Sequence, residues 1–307
     1  MKSVVLTNGE GGVGVQTTID AIRRGVSVLD AIESGIRVVE LDPSVRTVGF
    51  GGAPNALGEM ECDASIMCGE SLCSGAVGAL KGYLHAISVA RQVMERTPHV
   101  MLVGEGAARF AKEIGASQGD LLSEAAKNNY KEWIREHVTP ELMSRWPDIP
   151  LSQLLWPSAK PESARGTTCF LACTKDRKWA GGVSTSGWAY KHPGRLGDSP
   201  IIGAGMYVDS RYGAVSCTHT GEMTIRAGTA RGVIAYLKKG ASAEEACREA
   251  IDDLRDLKGG YLGPVVVHVL DREGTPFVAS IGLSKTTPFW FWSEGMAKVE
   301  CRQALPL

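Results

Sequence analysis

Near the middle of the chain a glycine meets two threonines, Gly166-Thr167-Thr168, at the start of a strand-like run. Glycine reaches backbone conformations closed to other residues, so a strained peptide can sit directly before a hydroxyl side chain. Strain of that kind helps the Thr167 hydroxyl attack the Gly166 carbonyl, moving the acyl group from nitrogen to oxygen before water releases it. The product is a chain beginning at Thr167, whose α-amino group titrates near ~8 and can act as general base for its own hydroxyl. A threonine activated by its own amine is a known acyl-transfer nucleophile. Gly-Thr-Thr also opens ordinary strands, so the tripeptide takes its meaning from its surroundings.

Other residues of chemical interest are ambiguous when taken singly. Arg195 and Asp198 share a Gly/Pro loop, and their spacing suits an exposed surface pair equally well. Thr185 and Thr218 alone read as strand threonines. GEGGVG, residues 9–14, follows a strand like a dinucleotide-binding loop, but no acidic residue follows at the end of a second strand. Cys62, Cys68 and Cys73 are spaced C-x5-C-x4-C without a C-x2-C knuckle or neighbouring histidine, so they read as thiols, not metal ligands. No metal or organic cofactor is expected. Trp290, Phe291 and Trp292 read as a core or interface strand in preference to a sugar or partner site.

The elements that must hold these residues follow from pattern. Residues 3–7 read as a buried strand. Ser27 is a helix N-cap, with Asp30 three residues on and Val28, Leu29, Ile32, Ile36 and Val39 at helical spacing. Residues 45–53 read as a strand running into a glycine turn, 62–69 as a strand, and 86–96 as a helix closed by Thr97-Pro98. A short strand at 101–103 precedes helix-forming sequence to about residue 114. From 139 to the junction at 166, prolines 140, 147, 150, 157 and 161 and weak periodicity predict a mobile surface linker. The chain then turns to β, with strands at 168–174 and 179–184 joined by a hairpin at Asp176-Arg177, and a third at 212–217. Helices at 222–239 and 243–257, the second capped by Ser242, precede strands at 265–270, 277–281 and 288–292. Strands and helices in clustered blocks predict an α+β fold of stacked sheets covered by helices.

The 307 residues, 44% hydrophobic and 22% charged, suffice for a sizeable core. A formal net charge of −1 without a basic run argues against nucleic acid and against an anionic membrane surface. No apolar stretch approaches the ~20 residues of a spanning helix, and the N-terminal apolar run is too short for a signal core. Cys169, Cys173 and Cys217 lie in apolar runs as small hydrophobes, which with modest cysteine usage points to a reducing, cytoplasmic setting.

Long ordered blocks resolve the ambiguity. They are SVLDAIESG (27–35), VGFGGAPNALGE (48–59), DASIM (63–67), residues 75–107, GVSTSG (182–187), HPGRLGDSPIIGAGMYVD (192–209) and THTGEMTIR (218–226). Across nearly the whole length the chain resembles the glycosylasparaginase and isoaspartyl peptidase/L-asparaginase family of N-terminal-nucleophile hydrolases. GFGG-x-P and the 85–93 region look more like glycosylasparaginase than plant-type asparaginase.

The resemblance implies one αββα four-layer sandwich over 1–307, cut into an α-subunit (1–166, with linker 139–166) and a β-subunit (167–307). It implies that Thr167 is the nucleophile and that Thr185 orients it. By the same resemblance Arg195 holds the substrate α-carboxylate and Asp198 its α-ammonium, while Thr218 supplies the oxyanion hydroxyl. Gly221 matches a position of close backbone approach to substrate, and Thr47 keeps a hydroxyl where the family has an active-site serine. His219, beside Thr218 and assigned to the substrate-binding set, replaces a glycine; Gly9 stands where glycosylasparaginases carry tryptophan; Arg165-Gly166 replaces their usual junction. The implied substrate is a small asparagine-derived molecule, N4-(β-N-acetylglucosaminyl)-L-asparagine, and the implied assembly a dimer of αβ heterodimers. Isoaspartyl peptides or asparagine are the alternative, and a poorly processed member with a binding or structural role is a further one.

Overall fold

The computed structural model describes residues 1–158 and 166–307. Strands β1 (Val4–Asn8), β2 (Cys62–Cys68), β3 (Ser74–Leu80) and β4 (Met101–Val103) lie in the first half with helices α1 (Val15–Arg23), α2 (Val28–Leu41), α3 (Ala86–Arg96), α4 (Gly104–Glu113) and α5 (Glu124–His137). Two short helices, α6 (Pro140–Met143) and α7 (Ser152–Ser158), lead toward the junction. Beyond it run β5 (Thr168–Cys173), β6 (Trp179–Thr185), β7 (Met206–Asp209) and β8 (Gly213–His219), then α8 (Gly221–Ala227), α9 (Thr229–Lys238) and α10 (Ala243–Arg255). The chain closes with β9 (Val265–Asp271), β10 (Pro276–Ile281), β11 (Pro288–Ser293), β12 (Glu300–Gln303) and β13 (Leu305–Pro306).

These strands form an eight-stranded sheet, β12-β11-β1-β5-β6-β2-β3-β4, and a five-stranded sheet, β13-β10-β9-β8-β7. Side-chain alternation along each strand decides what each face covers. Val5, Phe170, Ala172 and Ala180 pack with Ile19, Ile32, Ile36 and Ile87 of α1, α2 and α3. The alternate residues Leu6, Cys169, Leu171 and Val183 pack against Met206, Val208, Ala214 and Val266 of the smaller sheet. On that sheet's other face Val215, Cys217, Val267 and Val269 pack with Val233, Ile234 and Ile251 of α9 and α10. The cysteines in these layers behave as small hydrophobes, burial pushing Cys169 up to about 12 and Cys217 well above the usual thiol range.

Local chemistry accounts for the helix starts. Ser27 Oγ accepts from Asp30 N at 3.2 Å, and Ser242 with Glu245 forms a reciprocal capping box. Phe291 and Trp292 are buried in β11, between β1 and β12, as a core strand requires.

Three local expectations need correction. Residues 45–53 form no strand: Gly49–Gly51 is a 3₁₀ turn with Gly49 at φ +54°, and Val45 and Val48 are buried in the helix-side core without a pairing partner. Hydrophobicity there serves packing, not a ladder. The stretch 222–239 is two helices, because Gly228 at φ +62° caps α8 in the left-handed region that ends a helix. The linker carries α6 and α7, with Leu151 packed against Trp133 and Ala56; its last part, Arg165 included, lies outside the described residues.

Candidate active site

Strand alternation converges the chemistry. Asn8 is in phase with Leu6, Thr167 with Cys169 and Thr185 with Val183, all on the face of the large sheet that meets the small one. On β8, Thr218 is in phase with Ala214 on the facing side. Strand β8 packs on both β5 and β6, so these groups share one end of the inter-sheet layer.

Around the junction the backbone is held at several points. Gly166 sits at φ +106°, and a Cβ there would overlap the Thr47 side chain, so only glycine fits. Thr185 Oγ1 donates to the Gly166 carbonyl at 2.5 Å and accepts from Gly187 N at 2.9 Å, which directs its proton at that carbonyl. Ser186 Oγ and N both donate to the Thr47 carbonyl, at 2.9 and 3.1 Å, fixing the wall that Gly166 rests on. Thr167 itself is 5% exposed.

Asn8, 2% exposed, extends the β1–β5 pairing through its side chain. Its Nδ2 donates to the Thr167 carbonyl at 2.5 Å, and its Oδ1 accepts from Cys169 N at 3.1 Å. Glu10 Oε2 takes a further bond from Nδ2 at 2.6 Å. Asn8 was not among the residues singled out from the sequence. Its position at the end of the first strand is the one signal, and its partners lie about 160 residues away.

A second group assembles on the loop after β6 and the start of α8. Arg195 Nε and Nη2 meet Glu222 Oε1 at 2.9 and 2.7 Å, with Nη2 reaching Oε2 at 2.8 Å. Its guanidinium lies 4.7 Å from the Trp188 ring centroid. Asp198 is 3% exposed, and burial raises its carboxyl to about 6, against the downward pull of the Thr224 hydroxyl and Arg195. Thr224 Oγ1 donates to Asp198 Oδ2 at 2.7 Å. A Cβ on Gly221 would stand 2.6 Å from Asp198 N, so this helix start approaches the carboxylate closely. Glu222, Trp188 and Thr224 were missed as individuals; Glu222 and Thr224 lie inside the THTGEMTIR block.

The third group is Thr218 and His219, whose Oγ1 and Nδ1 are 3.0 Å apart. His219 lines a cleft of about 640 Å³ with Glu10, Arg46, Thr47 and Lys285. Thr47 thus joins the junction to the cleft, while among the described residues no hydrogen bond links Thr167 to Arg195 or Asp198. Another cleft, about 590 Å³, lies beside Ser3, Cys68 and Trp292, and none of Thr47, Gly166, Thr167, Thr185, Arg195, Asp198, Thr218 or His219 lines it.

The Asparaginase family matches residues 13–296. An N(4)-(Beta-N-acetylglucosaminyl)-L-asparaginase of Elizabethkingia miricola is 35% identical over 275 residues, covering 85% of this chain and 75% of its own. A plant-type L-asparaginase of Pyrococcus furiosus is 32% identical over 314 residues, 98% of this chain and 99% of that one. An isoaspartyl peptidase/L-asparaginase of Mus musculus is 34% identical over 247 residues, with 80% and 71% covered. With its facing sheets, a Gly166–Thr167 junction that only glycine fits and this match along most of its length, the chain belongs to the asparaginase family of amidohydrolases.

Proposed function

We propose that the protein cuts itself between Gly166 and Thr167 and then hydrolyses the side-chain amide of an asparagine-type substrate, with Thr167 as nucleophile. The observation that carries this reading is the Gly166 carbonyl, held by the Thr185 hydroxyl in a backbone conformation only glycine accepts. That bond withdraws electron density from the carbonyl that Thr167 Oγ attacks. The resulting ester is hydrolysed, leaving Gly166 with a carboxylate and Thr167 with a free amine.

In turnover Thr167 Oγ attacks the substrate amide while its amine takes the proton and returns it to the departing nitrogen. Arg195 and Asp198 hold the α-carboxylate and α-ammonium of the aspartyl head. Thr218 and a nearby N–H stabilise the oxyanion, a contribution of roughly 3–4 kcal/mol per donor. Water then releases aspartate. The chemistry draws on no metal or organic cofactor. The fold is read as a four-layer αββα sandwich of one domain, supported by the three stacked cores. The α-subunit (1–166) and β-subunit (167–307) stay interleaved because β1 pairs with β5 and β2 with β6. Two such heterodimers forming a cytoplasmic dimer, acting on a small molecule and not on nucleic acid or membrane, complete the proposal.

Intact mass after incubation at neutral pH tests cleavage. Two fragments, beginning at Met1 and Thr167, are expected. Gly166→Ala slows their appearance by about a hundredfold, because displacing the carbonyl by roughly an ångström costs that much in an oriented reaction. A Gly166→Ala chain that splits at the normal rate removes the strained-junction argument.

Substrate choice rests on the leaving amine. N4-(β-N-acetylglucosaminyl)-L-asparagine is the expected preference, following the GFGG-x-P block and the relative from Elizabethkingia miricola. Aspartate release is compared among this compound, asparagine and a β-aspartyl dipeptide. A higher kcat/KM for the dipeptide moves the assignment to the isoaspartyl peptidase branch, leaving the mechanism unchanged.

A further inference from the structure

His219 is the last residue of β8 and stands at φ +84°. A side-chain-bearing residue in that region is strained, and such strain persists where its surroundings demand it. Its consequence is local. Along a regular strand neighbouring side chains leave on opposite faces, which would separate residues 218 and 219. The positive φ breaks that alternation and brings the ring within 3.0 Å of the preceding hydroxyl.

That contact controls a single proton. The Thr218 hydroxyl has one hydrogen to donate. If His219 Nδ1 is an acceptor, the hydrogen points at the ring and none is left for an oxyanion. If Nδ1 carries a proton, Thr218 Oγ1 accepts it and its own hydrogen turns elsewhere. We propose that His219 is a positioning residue, which by donating Nδ1–H to Thr218 Oγ1 aims the Thr218 hydroxyl at the developing oxyanion. This rests on the reading of Thr218 as the oxyanion donor.

The imidazolium donates from both nitrogens, whereas the neutral ring carries its proton on only one. A neutral ring that keeps its proton on Nε2 accepts at Nδ1, so deprotonation of the ring turns the Thr218 hydrogen away from the oxyanion in a share of molecules. Loss of a proton from the Thr167 amine acts in the opposite sense by freeing the base, so the rate rises and then declines with pH, and His219 accounts for the decline. Several charged or titratable groups share the cleft with the ring or lie on the strand beside it. Glu10, from the turn after β1, favours the imidazolium. Arg46, from the loop after α2, and Lys285, from the β10–β11 loop, oppose it. On the neighbouring strand β9, burial lowers His268 to about 3, so it stays neutral.

The test compares kcat and KM across pH for wild type, His219→Gly and His219→Asn, each first verified as two fragments by mass. Glycine accepts φ +84° without strain and asparagine tolerates it, so both variants fold. His219→Gly is expected to lower kcat by about tenfold with KM within about twofold, and to lose the alkaline decline. His219→Asn, whose amide donates at every pH, recovers most of that rate and also lacks the decline. In a Thr218→Val background His219→Gly should change nothing further. A His219→Gly enzyme with wild-type kcat and pH profile overturns the inference, as does a loss that appears only in KM. If Thr218→Val slows turnover about a hundredfold while His219→Gly is silent, only the role of His219 falls. If Thr218→Val is itself silent, the oxyanion reading beneath it falls too.

Discussion

Thr167→Ala protein is expected to remain one chain and to release no aspartate, a loss of about 10⁴-fold or more in kcat. One atom accounts for both failures, since in the proposed mechanism the same Oγ opens the junction and later attacks substrate. The substitution removes little else. Thr167 is buried beside Asn8, but the bond between them uses its backbone carbonyl, which alanine keeps. Thermal unfolding should therefore stay within a few degrees of the uncleaved parent, roughly what loss of about 1 kcal/mol moves. Thr167→Ser retains hydroxyl and amine, so it should split and turn over more slowly. The pair is followed by denaturing gel and by aspartate release. A Thr167→Ala chain that still divides at residue 166 would place the nucleophile elsewhere and end the mechanism as drawn.

The fragments freed by cleavage have no route apart that spares the core. In the large sheet β1 lies between β11 and β5, and β6 lies against β2, so strands from both sides of the junction interleave. Asn8 on β1 therefore holds the residue proposed as the new N-terminus, across a pairing that the proposed cleavage would leave intact. A nucleophile at a chain end needs such an anchor, because a free terminus otherwise frays.

How much of this is legible in sequence depends on the range of the interaction. Strand alternation at Leu6, Cys169 and Val183 is local, so the strands that carry Thr167 and Thr185 can be read directly. The cap at Ser242 is equally local. Asn8 is different: its function is a hydrogen bond to Thr167, 159 residues on, visible only once β1 lies against β5. Glu222 sits in a quoted block, yet its partner Arg195 is 27 residues upstream, with β7 and β8 between them. Apolar runs mislead where glycine intervenes, as at Gly49 and Gly228, because burial and chain direction there are set by positive φ. His219 shows the same limit from the other side, since no pattern announces its left-handed backbone.

The second large effect is expected at the head-group pocket. Arg195→Ala should lower kcat/KM about 10²–10³-fold, the cost of truncating one partner of a hydrogen-bonded charge pair. Two consequences act together. The substrate α-carboxylate loses its guanidinium, and Glu222, now without its bidentate partner, faces that carboxylate as a like charge. Adding Glu222→Ala to Arg195→Ala should then restore part of the loss, whereas independent sites would make the double variant worse. Arg195→Lys cannot reproduce a fork that meets Glu222 through Nε and Nη2. Asp198 adds a pH signature. Burial disfavours the charged form and pushes its carboxyl up to about 6. Only the ionised carboxylate attracts the substrate ammonium, so kcat/KM should show, beyond the decline set by protonation of the Thr167 amine, a further acidic limb as pH drops through that value. Asp198→Asn should abolish this acidic limb along with most of the binding. If the parent and Asp198→Asn show the same pH dependence of kcat/KM between about pH 4 and about pH 7, Asp198 does not bear the ammonium.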